Sequence, residues 1–448
     1  MTVTAWDDFP VHQASEWIAH PATSDRNFYD RYYFNAFDTT GEWIAVMGLG
    51  QYPNLGVTDA FATVRVGPQQ HVVRASRPLG DRSDISVGPL RVEVLEPLRR
   101  LRFVVEPTEH SLGLDLLWEG FGPAIPEPNQ FIRHAGRVMF DTQRLAQMGS
   151  WTGTLNVAGR DLAVSAATTV GSRDRSWGVR PVGEREPDGI RKGANVMGGG
   201  MWTYFPMRFD DHCLFYICSE RADGVRTLEQ AERVWLDGRV EQLGHSEHDH
   251  RFVEGMRLLS GSKITFPDAG IELTCEPLAA NYLAVGTGYG LEEDWRHGMW
   301  QGPDLVVQGK VYDVADIEVL GSYAVVDHAA RFSYQGKVGY GLYEHSFSGV
   351  MPRAGSPNLS PVGGGSAAPR RGAGQTSLAR SPDDELLHDR RGAGGAPLRQ
   401  ETAPRSEKTP LQLDQRHFAS ADLAWRHLMG GMVEQPRIRS HAFGFGFA

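Results

Sequence analysis

Three consecutive stretches, LRVEVLEP (90–97), LRFVVEP (101–107) and LGLDLLWEG (112–120), decide the fold. Each is short, rich in β-branched and large apolar residues, and closed by proline, glycine or charge, the pattern of strands joined by tight turns. In the first, Val92 and Val94 alternate with Arg91, Glu93 and Leu95, a period of two that predicts a half-buried strand. The style continues upstream through FYDRYYFNAFD (28–38) and EWIAVMGLGQYP (42–53). DAFATVRVG (59–67) and QHVVRASR (70–77) predict a hairpin about the Gly67-Pro68 turn. Downstream come SWTGTLNVAG (150–159) and DLAVSAATTVGSRD (161–174). One weak helical pattern, TQRLAQMG (142–149), interrupts them.

A second series repeats the first: MWTYFPMRFD, HCLFYICSERADG, KITFPDAG, IELTCEP, LVVQGKVYDV, YAVVDHAARFSYQG and VGYGLYEHSFSG. Short strands with turn signals every roughly 8–12 residues predict an all-β chain, a barrel or sandwich. RPVGEREPDGIRKGANVMGGG (180–200) has no periodicity and is rich in glycine and charge, so it marks the boundary between two halves. The expected organisation is a lead-in at 1–27, a first β domain at 28–180, a crossing loop at 181–200 and a second β domain at 201–352. Residues 353–448 carry twelve arginines against one lysine among glycine, alanine, proline and serine, and are expected to form a disordered tail. That bias is also the mark of an out-of-frame reading of GC-rich DNA. LAWRHLMGGM (423–432) is a short helical candidate within it.

Over 448 residues the net charge is −10, against the basic footprint that nucleic-acid or anionic-membrane partners require. Cys213, Cys218 and Cys275 make neither a disulfide framework nor a C-x-x-C pair. No secretory leader is visible at MTVTAWDDFPVHQ and no apolar run is long enough to span a membrane, so a cytoplasmic location is expected.

The densest chemistry lies in SRDRSWGVRP (172–181), where Asp174 sits between Arg173 and Arg175, just ahead of Trp177. A carboxylate beside an aromatic at a barrel mouth serves as general acid or base if burial moves its pKa; the plainer alternative is pairing with the flanking arginines. In GLYEHSFSG (341–349), Glu344 and His345 are strand neighbours and face opposite sides, so at most one meets a cavity. GLEEDWRHGMWQG (290–302), with Trp295, His297 and Trp300, has the mix of a pocket rim, or of a tryptophan-anchored turn. HSEHDH (245–250) puts His248 and His250 on one strand face without a third ligand, so no metal is expected. The glycine runs lack the strand–turn–helix context of a nucleotide loop, and no cofactor is expected.

With these motifs in view, the chain resembles the lipocalin-like superfamily of carotenoid 1,2-hydratases (hydroxyneurosporene synthases) and related lipocalin-like Diels–Alderases. The resemblance is carried by the Asp-x-x-Trp-Gly of RDRSWG. YFNAFD, GQYPN, RDRSWGVRP, DWRHGMWQG and GYGLYEH resemble more closely an uncharacterised actinobacterial-type branch, over about residues 28–352. The resemblance implies two consecutive barrel-like halves sharing an apolar ligand cavity, and proton transfer from an acidic residue to an alkene. Asp174 would be the donor or its partner, with Glu344 and His345 as further catalytic candidates. Trp177, Tyr52, Asn54, Tyr204, Trp295, His297 and Trp300 would line the cavity. The expected function is a cofactor-independent enzyme acting on an isoprenoid, steroid or polyketide-like substrate by hydration, isomerisation or cyclisation. The alternatives are a carrier of hydrophobic ligands and a protein-interaction module.

Overall fold

The computed structural model describes residues 3–181, 189, 200–290 and 292–349. The expected crossing loop, apart from its ends and Gly189, and the expected tail with its helical candidate lie outside the described residues.

The first half supplies β1 (Phe28–Asp38), β2 (Trp43–Tyr52), β3 (Val57–Val66), β4 (Gln69–Pro78), β5 (Leu90–Glu96), β6 (Arg100–Val105), β7 (Leu112–Gly120), β8 (Arg137–Val157) and β9 (Thr169–Val179). They pair antiparallel in the order β4-β3-β2-β1-β9-β8-β7-β6-β5. The second half supplies β10 (Gly200–Arg208), β11 (His212–Arg221), β12 (Arg226–Trp235), β13 (Glu247–Phe252), β14 (Leu259–Phe266), β15 (Ile271–Asn281), β16 (Val306–Asp313), β17 (Val326–Tyr334) and β18 (Lys337–Ser348). Seven of these join β13 in one sheet, in the order β12-β11-β10-β18-β17-β15-β14-β13. β16 instead crosses to the first sheet and pairs with β4, Val306 opposite Ser76 and Asp313 opposite Gln69. The all-β expectation holds, as two curled half-barrel sheets.

The helical pattern at 142–149 is part of the 21-residue strand β8. Its backbone is paired throughout by β9 on one side, and on the other by Gln130, by Ile125 and Pro126, and from Gly149 onward by β7, so tertiary pairing overrides a weak local preference. Gly149 there is no helix cap: a Cβ would lie 2.3 Å from Glu119 O and 2.5 Å from the Trp118 ring. The α-helix that does form, α1 (Val314–Gly321), follows β16 directly and buries Val314, Ile317 and Gly321, a helical spacing.

Each sheet curls round its own apolar filling. Phe34, Trp43, Phe103, Trp118 and Trp151 pack in the first, and Phe205, Tyr216, Phe266, Phe332 and Tyr343 in the second. Side chains of that size each contribute roughly 1.5–3 kcal/mol when buried. A third cluster draws Tyr33, Phe61 and Met148 from one sheet and Trp202, Phe215 and Leu342 from the other. Alternation explains the division: Phe34 fills the first core while its neighbour Tyr33 reaches into the seam. The candidate site lies in that seam.

Candidate active site

Two rows of side chains cross the first sheet where β1, β9 and β8 lie side by side. One row is Arg31–Ser176–Arg144 and the next is Tyr33–Asp174–Ala146. Facing them, β10, β18 and β17 carry a third row, Tyr204–Glu344–Asp327. Between the sheets is a narrow cleft of about 40 Å³, partly open to solvent and lined by residues of both.

Hydrogen bonds tie the two walls together. Tyr33 donates its hydroxyl to Asp327 Oδ2 at 2.6 Å, from one sheet to the other. Trp202 Nε1 donates to Glu344 Oε1 at 2.6 Å. Glu127 accepts from Arg144 Nε at 2.7 Å and from the Tyr204 hydroxyl at 3.3 Å. Arg31 Nη2 donates to the Tyr289 hydroxyl at 3.0 Å and meets His297 Nε2 at 3.4 Å. Burial, then the Arg31 charge, push His297 down to about 4, so its ring is neutral and Nε2 accepts from Arg31.

Three carboxyls hold their protons unusually tightly here. Burial raises Asp174 to about 7; Glu127 and Glu344 push it further up, while Arg31 and Arg144 pull it down. Burial also raises Asp327 to about 7, against the lowering effect of the Tyr33 hydrogen bond. Glu344 is raised well above the carboxylate range by burial and then by Asp327, its neighbour across the strands. Carboxyls so placed carry exchangeable protons near neutrality, the property a general acid or base requires.

The structure brings Asp174, Glu344 and Tyr204 together, and it places the other expected residues elsewhere. Arg173 and Arg175 do not pair with Asp174, because neighbours along a strand face opposite sides. Arg173 Nε donates to Gln147 Oε1 at 2.9 Å, and Arg175 pairs with Asp30 at 2.7 Å over the Tyr32 ring. Trp177 shares that opposite face, is 38% exposed and does not reach the cleft. His345 points into the second core, its Nε2 3.2 Å from that of His328. Asn54 is structural, donating to Thr23 O and Asp25 O at 2.8 Å each. Trp295 is buried beneath the Arg74 guanidinium, 4.4 Å from its carbon, and Trp300 is half exposed. Tyr52 and His297 stack on each other behind Arg31 rather than on the cleft wall. The cleft is a seam between halves rather than a barrel mouth, and its lining is mixed: Leu283, Val325 and Trp202 beside three arginines.

Arg31, Tyr33, Glu127, Arg144, Tyr289 and Asp327 complete the site, and sequence reasoning did not single them out. Asp327 carried a signal: a lone acid in the apolar run YAVVDHAA is seldom buried without a task. Among the described residues no group of three or more His, Cys, Asp or Glu is arranged to hold a metal ion. His248 and His250 do share a strand face, their rings 4.9 Å apart, but they are bonded to Glu220 and Ser262.

Fold and site define an all-β protein of two curled antiparallel sheets with an ionisable cleft in the seam between them. The chain belongs to a family of unknown function, DUF8625, whose model matches residues 3–356. No curated protein matches its sequence. Among solved structures, a putative AttH from Nitrosomonas europaea is similar at 14% identity and a TM-score of 0.47, covering 72% of this chain and 94% of its own. Kievitone hydratase from Nectria haematococca is similar at 14% identity and a TM-score of 0.43, covering 71% and 89%. CghA with Sch210972 is similar at 9% identity and a TM-score of 0.38, covering 72% and 89%. Among the described residues no helix is long and apolar enough to cross a membrane, and the three cysteines are buried and unbridged.

Proposed function

We propose that the chain is a cofactor-independent enzyme that moves protons on a small, substantially apolar substrate of isoprenoid, steroid or polyketide type. The observation that carries this reading is the convergence of Asp174 and Glu344 on one cleft, with Asp327 buried beside Glu344, each holding its proton near or above neutrality. Asp174 is the donor: it is partly open to the cleft, and near pH 7 both its forms are populated. In a hydration, its proton forms a C–H bond with the π pair of an alkene. The electron-deficient carbon left behind takes a lone pair from water, and the proton of the resulting oxonium returns to the Asp174 carboxylate. Isomerisation uses the same delivery and then returns a proton from a different carbon to the Asp174 carboxylate; cyclisation captures the cation with the π pair of a second double bond, and the new cation so formed loses a proton to that carboxylate. The faces of Trp202 and Tyr204, 6.3 Å apart and nearly parallel, offer π density to such a cation.

The reading is tested by incubating the full chain with a lipid and isoprenoid extract in heavy water and analysing bound and released compounds by mass spectrometry. The expected result is a compound that gains deuterium, or deuterium with the mass of water, with wild type and not with Asp174→Asn. Compounds retained unchanged by both proteins would make the chain a carrier and overturn the enzymatic reading.

A further inference from the structure

The row beside Asp174 holds two buried arginines with unused hydrogen-bonding capacity. Arg31 and Arg144 flank Ser176 across β1, β9 and β8, and are 2% and 7% exposed. Arg144 spends Nε on Glu127 and Nη1 on Gln130; Arg31 spends Nη2 on the neutral Tyr289 and His297. Arg31 Nη1 and Arg144 Nη2 are buried and have no hydrogen-bond partner among the described residues. Both side chains line the cleft, as does Ser176 between them. A buried guanidinium N–H left unmatched is costly, and a guanidinium fork is best matched by a carboxylate.

The charge balance points the same way. Arg144 is neutralised by Glu127, whereas Arg31 makes no salt bridge among the described residues and Arg180 adds a further cation to the lining. With the raised carboxyls protonated, the cleft carries a positive excess. It is built to receive an anion and then to act on something held beside it.

We propose that the substrate carries a carboxylate, or an equivalent acidic pair of oxygens, that seats over Ser176 between Arg31 and Arg144. Its reacting carbon then lies one row further along β9, over Asp174. This rests on the acid–base reading above and adds the substrate class. Side chains two residues apart on one strand face are roughly 6.5–7 Å apart, so acid group and reacting carbon are separated by about that distance. The apolar body lies toward Leu283, Val325 and the Trp202 ring, the uncharged part of the lining. Seating an anion also stabilises the protonated form of Asp174, so binding would load the donor with its proton.

The test is calorimetric binding of octanoate and of 1-octanol to the full chain at pH 7, read without turnover. Octanoate is expected to bind at least tenfold more tightly. Arg31→Gln should remove most of that preference while leaving octanol affinity within twofold. Ser176→Asp, which plants a carboxylate between the two arginines, should abolish the preference while the chain stays folded by circular dichroism. It therefore decides the matter if Arg31→Gln does not fold. Equal affinities in wild type, or a preference that survives Ser176→Asp, would overturn the proposal. Octanoate preference without deuterium transfer to any compound would uphold this site and sink the enzymatic reading. Deuterium transfer without the preference would do the reverse.

Discussion

Replacing Asp174 by asparagine is expected to make the protein more stable at neutral pH while removing its proton-transfer activity. Asp174 sits at about 7 in the folded chain against 3.8 for a free side chain, chiefly through burial. A group raised in the folded state binds its proton more tightly there, so stability is complete below about 4 and is lost as pH rises toward 7. Between those limits the slope is about 1.4 kcal/mol per pH unit for this one group, roughly 4 kcal/mol in all. Asp174 is partly open to the cleft, and solvent screening reduces that to roughly 2–4 kcal/mol. Asparagine has nearly the same shape and never ionises, so it escapes the loss.

Urea unfolding followed by tryptophan fluorescence, at half-unit steps from pH 4.5 to 8, reads this directly. Wild type and Asp174→Asn should differ least at pH 4.5, by about 1 kcal/mol or less, separate further as pH rises, and differ by a constant amount above about 7.5, the variant being the more stable. Deuterium transfer by the variant should fall by two orders of magnitude or more, the usual worth of a general acid. A variant less stable than wild type at pH 7.5 would refute the reasoning. It would mean that the carboxylate is ionised and serves Arg31, whose charge its loss would leave buried.

Other perturbations probe the rest of the seam. Tyr33→Phe deletes the donor to Asp327 and should raise that carboxyl further, moving the corresponding limb of the pH–rate profile up by half a unit or more. Trp151→Phe removes the 2.8 Å bond from the indole to Asn35 O in the first core, and should cost roughly 1–3 kcal/mol in urea without pH dependence between 5 and 8. His345→Leu leaves the Leu259 N–H without its acceptor and should lower stability by a similar amount, about 1–3 kcal/mol, with deuterium transfer unchanged because the ring faces away from the cleft.

The strands were legible because their evidence is local. FYDRYYFNAFD (28–38) is β1 residue for residue, and the meander of 90–120 follows from proline, glycine and alternation. The alternation that separates Glu344 from His345 in the sequence is the same one that turns Arg173 and Arg175 away from Asp174, and it holds for both. Pairing between distant strands carries no such local mark. Nothing near Val306 says that β16 leaves its own half for β4, more than 200 residues back. Nothing near Asp174 announces Asp327 or Glu344 across the seam.

The distance in sequence between those carboxyls is also what gives them their chemistry. Asp174 next to two arginines on one face would be an ion pair with a depressed pKa. Asp174 facing Glu344 and Glu127 in a closed seam has its proton held near neutrality instead. Packing the two sheets against each other removes the water, and the repulsion comes chiefly from within each half, from Glu127 on Asp174 and from Asp327 on Glu344. The functional group is therefore the interface, and Tyr33 marks the dependence, a side chain of the first sheet whose hydroxyl is bonded to an acid of the second. A chain whose halves came apart would lose the raised pKa of Asp174 before it lost either core, because each core is filled from its own sheet.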